Sequence, residues 1–107
     1  MAKVKVSVEA GICGFTTFIT ADADGMEEVE LNIESDCEQV QQVQEEINSV
    51  NAMSMLSNKK PHETEVYQVL AAHLKHVSCP VYSGCFKAVE VAAGMALPED
   101  VKIEIEK

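Results

Sequence analysis

Polar and apolar positions alternate with a period of two at the start of the chain. Val4, Val6 and Val8 interleave with Lys3, Lys5 and Ser7, a pattern that predicts a half-buried β-strand. Gly11-Ile12-Cys13-Gly14 interrupts it and predicts a tight loop with exposed backbone amides. A second strand, rich in Thr, Phe and Ile, is expected from Phe15 to Ala23, with Asp22-Ala23-Asp24-Gly25 as a hairpin turn. Alternation returns from Glu28 to Glu34, with Val29, Leu31 and Ile33 on one side and Glu28, Glu30, Asn32 and Glu34 on the other. Three antiparallel strands with one wet face are the natural reading.

The period then changes. Ser35-Asp36-Cys37-Glu38 has the form of a capping box. Val40, Val43, Ile47 and Val50 follow at helical spacing, which predicts a helix of about four turns from Asp36 to Val50. Asn51 to Lys60 reads as a connection, and Pro61 fits the first turn of a second helix. Its apolar stripe is Val66, Val69, Leu70, His73, Leu74 and Val77. A third helix is expected to open at Ser83-Gly84-Cys85-Phe86 with Ser83 as N-cap, to face inward through Phe86, Val89, Ala93 and Leu97, and to end at Pro98. Val101, Ile103 and Ile105 alternate with Lys102, Glu104 and Glu106, which predicts a final strand. The order β-β-β-α-α-α-β, without repeat or linker, points to a single α+β domain over residues 1–107. Its expected form is a two-layer sandwich, a mainly antiparallel sheet with helices on one face.

Charge narrows the partners. Acidic residues number 18 and basic ones 8, all lysine, for a net charge of −10. Such a surface repels a phosphate backbone, and without arginine there is no bidentate fork for phosphate. Nucleic acid is therefore excluded as a partner, and an anionic membrane is disfavoured. The apolar run from Val91 to Leu97 is far too short to span a bilayer. Met1 to Val6 reads as a strand and not as a signal-peptide core, so a cytoplasmic protein is expected. No Ser-His-Asp order, phosphate loop or dinucleotide fingerprint is present, which leaves an ordinary small-molecule enzyme without support.

The chain has four cysteines. In a reducing compartment, clustered cysteines point to metal or redox chemistry more than to disulfides. Cys37 and Cys85 each stand two residues after a candidate Ser N-cap, where helix amides favour a thiolate. Cys13 lies in the glycine loop and Cys79 in a turn before the third helix. All four are expected at ends of elements, which a two-layer domain can gather at one rim. The chain has no C-x2-C hook: Cys37 follows Cys13 by 24 residues, Cys79 follows by 42 and Cys85 by 6. Convergence therefore has to come from the fold; otherwise the four are small buried hydrophobes.

The segment Gly11-Ile12-Cys13-Gly14, the two strands joined by Ala23-Asp24-Gly25, Ser35-Asp36-Cys37 and Gly84-Cys85-Phe86-Lys87-Ala88-Val89-Glu90-Val91-Ala92-Ala93 together resemble iron–sulfur scaffold proteins of the NifU/IscU type in motif order. That resemblance implies cluster-holding roles for Cys13, Cys37 and Cys85. It also implies an Asp two residues after the first cysteine and a His just before the third, where this chain has Phe15 and Gly84. Cys79 is an addition that would serve as a fourth ligand. The Cys-Pro and Ala-Leu-Pro segments also resemble small uncharacterised four-cysteine proteins of anaerobic prokaryotes, a likeness that implies no function.

Three readings result. The first is a cysteine-ligated metal or iron–sulfur protein, a cluster scaffold or carrier, using Cys13, Cys37, Cys79 and Cys85. Soft thiolates suit Zn²⁺ and iron–sulfur clusters alike, and spacing does not choose between them. The second is a thiol redox or sulfur-transfer protein exchanging through Cys79 and Cys85. The third is an acidic interaction module that binds a protein partner or forms a homodimer through an edge strand. Among the histidines, His73 on the apolar stripe reads as a hydrogen-bonded core residue, His76 as a helix-end cap and His62 as exposed.

Overall fold

A computed structural model describes residues 3–24, 27–56 and 60–107. Its first three strands follow the alternation: β1 spans Lys3–Glu9, β2 Thr16–Ala23 and β3 Glu28–Ser35. They pair antiparallel, with Val6 opposite Ile19 and Ile19 opposite Ile33. Val8, Ile19, Ala21, Val29, Leu31 and Ile33 are buried on one face. Lys3, Lys5, Asp22, Glu28, Glu30 and Glu34 are exposed on the other. The β2–β3 turn expected at Asp22 to Gly25 falls partly outside the described residues.

The first helix is shorter than its periodicity. Helix α1 spans Glu38–Glu46, and a short strand β4, Ser49–Asn51, follows and pairs with β3, Val50 opposite Val29. Ile47 and Val50 are buried as the helical stripe requires, but the backbone has turned extended by Ile47. A three-residue strand is too short to show a period of its own. The β3 edge explains the change. Its Leu31 N–H donates to the Asn48 carbonyl at 2.9 Å. Its Ile33 N–H donates to the Gln44 side chain, and Gln41 Nε2 donates to the Ser35 carbonyl at 2.8 Å. Backbone and glutamine amides together close an edge that would otherwise be left open.

The expected connection after Asn51 contains a five-residue helix α2, Ala52–Leu56, and a single 3₁₀ turn at Pro61–Glu63. Helix α3, Glu65–His73, is capped by the Thr64 hydroxyl, which accepts from the Tyr67 N–H at 3.2 Å. It ends before His76, and Val77 lies in open solvent. Helix α4 spans Val81–Ala92, with Pro80 as N-cap in place of Ser83, and stops before Gly94, whose φ is 79°. Helix α1 covers β3, α4 covers β1 and β2, and α3 bridges α1 and α4. The fold is α+β, with a four-stranded antiparallel sheet ordered β1-β2-β3-β4. The predicted final strand does not form: residues 95–107 carry no strand and leave Val101, Ile103 and Ile105 exposed.

Gly84 sets how closely α4 approaches the sheet. A Cβ there would stand 2.5 Å from Val8 Cγ2 and 3.0 Å from Ile19 Cδ1. Val8 is stiff at χ1 and has little room to swing aside. Overpacking of this kind costs about 1–3 kcal/mol, against the roughly 1 kcal/mol alanine gains over glycine within a helix. Gly84→Ala should therefore lower stability by about 1 kcal/mol net, seen in urea as a lower midpoint with an unchanged slope. A midpoint equal to the parent's would show that the contact yields without cost.

Candidate cysteine site

Cys13 is carried by the β1–β2 hairpin. The Gly14 N–H donates to the Gly11 carbonyl at 3.0 Å, and the Ala10 N–H to the Phe15 carbonyl at 3.1 Å. Gly11 and Gly14 have φ of 86° and 76°, a left-handed region that glycine enters at little cost. This tight turn leaves Ile12 and Cys13 exposed at its tip.

Cys37 is itself the N-cap of α1, not a first-turn residue behind a Ser cap. Ser35 Oγ accepts from the Cys37 N–H at 3.1 Å and from Thr17 Oγ1 at 2.9 Å. The serine thus holds the half-buried thiol at the junction of β3 and α1.

Cys79 stands ahead of the helix as expected, but Cys85 does not fall in its first turn. Because α4 begins at Val81, Cys85 lies inside the helix, 1 % exposed, in the core beneath α4. Cys79 stands just ahead of the helix mouth, beside the Val81 backbone N–H. The signal that locates this mouth is Pro80, since proline is favoured where a helix starts. The serine at 83 hid it.

Helix amides do not prevail electrostatically at either thiol. Burial pushes Cys79 above its ordinary value near 9.0, the Val81 N–H pulls it down, and nearby Cys13 and Cys37 add a smaller upward push. Burial pushes Cys85 up to about 12, and Cys79 adds to the rise. An exchanging pair needs an accessible thiolate, and Cys85 is a buried, protonated thiol at neutral pH.

These interactions also report position. Cys79 lies within electrostatic reach of Cys13, Cys37 and Cys85. The four come from the β1–β2 turn, the start of α1, the segment ahead of α4 and the body of α4. All four cysteines are free thiols. Among the described residues, no group of three or more His, Cys, Asp or Glu side chains is already placed to hold a metal ion. The donor chemistry fits a soft metal, and the geometry has to close before all four sulfurs reach one ion.

The histidines stand elsewhere. His73 Nε2 pairs with Glu46 at 2.8 Å and its Nδ1 with Gln42 at 3.2 Å, tying α3 to α1. The side chains of His62 and His76 are exposed. No described helix is long and apolar enough to cross a membrane.

Residues 4–105 match DUF6951, a family of unknown function, and the chain belongs to that family. Neither the curated proteins nor the solved structures yield a match.

Proposed function

We propose that the protein binds a metal ion or an iron–sulfur cluster through Cys13, Cys37, Cys79 and Cys85. The observation that supports this reading is the position of Cys79, whose thiol feels Cys13 and Cys37 and is in turn felt by Cys85, although they come from separate elements. Cys13 on its exposed turn would close over the group, Cys37 and Cys79 would flank it from two helix starts, and Cys85 would meet it from below. The bound group would supply the positive charge that lets buried thiols lose their protons, so binding releases protons and strengthens as pH rises. Zn²⁺ and an iron–sulfur cluster both suit this donor set. The exposure of Cys13 and the resemblance in motif order to NifU/IscU-type scaffolds would suit a scaffold or carrier, while a fourth thiolate from Cys79 would suit holding the group more than handing it on. Free thiols agree with a reducing, cytoplasmic setting.

The test is titration with Zn²⁺ and Co²⁺, together with anaerobic reconstitution using Fe²⁺ and sulfide, followed by visible absorption. One ion or cluster per chain is expected. Loss of a ligand exceeds the 10- to 100-fold cost of losing a second-shell partner, so Cys79→Ser should weaken binding by about a hundredfold or more. No ion or cluster bound under any of these conditions, or a Cys79→Ser variant that binds like the parent, would overturn the reading.

A further inference from the structure

The two edges of the sheet are treated differently. The β3 edge is closed by β4, Asn48 and the glutamines of α1. The β1 edge is outermost, and no described strand pairs with it. An unpaired strand edge is a template for another strand. Along β1, Val4 and Val6 are only half-buried, and Lys3 and Lys5 stand on the wet face.

Residues 101–106 have the complementary character. Val101, Ile103 and Ile105 are 61, 76 and 89 % exposed, in an alternating segment that pairs with no described strand of its own chain. Lys102 and Glu104 pair with each other, in solvent, at 2.9 Å. The family match runs through residue 105 and so takes in most of this segment.

We infer that residues 101–106 add as an antiparallel strand to the β1 edge of a second copy, making a reciprocal two-fold dimer. One register satisfies both faces. With Ile103 opposite Val6, Ile105 falls opposite Val4 and Val101 opposite Val8. This extends the apolar layer that α4 covers. The same register sets Glu104 opposite Lys5 and Glu106 opposite Lys3 on the wet face. A parallel strand that kept all three apolar pairs would set Lys102 opposite Lys5, a like-charge contact that disfavours it. Lysines on an edge strand keep most strands away; here they select an acidic one. Two-fold symmetry makes the exchange mutual, so each association forms two strand pairs.

This inference is independent of the metal reading and is tested on the metal-free full chain. Light scattering behind size exclusion should give twice the chain mass, with concentration-dependent dissociation. Glu104→Lys with Glu106→Lys should weaken the dimer by about tenfold or more, since cross-strand charge pairs each contribute some tenths of a kcal/mol and like charges reverse their sign. Adding Lys3→Glu and Lys5→Glu to that variant should restore it. The tail is solvent-exposed in the single chain, so its substitutions leave the monomer fold intact, which circular dichroism checks. A parent monomeric at all concentrations overturns the proposal. So does a monomer whose tail amides resist hydrogen exchange, because the tail would then pair with its own chain. A dimer indifferent to the tail charges, or one not rescued by the β1 reversal, also overturns it.

Discussion

Ile19→Ala is expected to lower the free energy of unfolding by about 3–5 kcal/mol. Ile19 is fully buried in β2, between Val6 and Ile33 on the neighbouring strands. Above it lies Gly84 of α4, where an added Cβ would come within 3.0 Å of Ile19 Cδ1. Removing the side chain loses its transfer free energy and leaves a cavity between sheet and helix. The cavity cannot collapse, because Val8 and Gly84 already hold α4 close beside it. Domains of this size are stable by about 5–15 kcal/mol, so the variant would sit near the edge of folding. Val77→Ala, at a side chain in open solvent, should stay within about 0.5 kcal/mol of the parent. Urea unfolding of the three proteins checks both values. A loss under 1 kcal/mol at Ile19 would mean that α4 does not pack on β2 as described.

The second large effect concerns the thiols. Cys85 has its pKa raised to about 12 from an ordinary value of 9.0, chiefly by burial. At pH 8 a rise of that size leaves about a thousandfold less thiolate than an ordinary cysteine carries. Alkylation by iodoacetamide should therefore strike exposed Cys13 first and Cys85 last. The rates should differ by at least three orders of magnitude, read by peptide mass spectrometry over time. Stability carries the same sign. The folded chain holds a proton on Cys85 that the unfolded chain releases above about pH 9. The contribution is thus complete below that pH and is lost as pH climbs from 9 toward 12. Cys79 is shifted in the same direction, again mainly by burial. Comparable labelling of Cys13 and Cys85 in the native protein would contradict the buried position.

Strands β1 to β3 were readable because a period of two leaves a strong signal over seven or eight residues. The site was readable only in part. Cys13 and Cys37 fall at ends of elements, as local glycine and capping chemistry implied, with Cys37 one step nearer the helix start than expected. Cys79 falls ahead of the helix as its Cys-Pro segment implies, but Cys85 lies a turn deeper than expected because Ser83 resembles a cap, whereas Pro80 carries the true start. The depth of Cys85 depends on how closely a helix and a strand distant in sequence approach, and periodicity does not encode that distance. For the same reason β4 was absorbed into a helix, since Ile47 and Val50 satisfy either geometry until the β3 edge claims them. The final alternating segment reads as a strand, but none forms there, because alternation alone does not supply a neighbouring strand to pair with.

The seat of α4 on β1 has a consequence for what residue 84 can become. Histidine directly before Cys85 would begin with the same Cβ that meets Val8 at 2.5 Å. An imidazole there would pry the helix upward and uncover the sulfur beneath it. Residue 84 can anchor the helix or offer a nitrogen donor, never both.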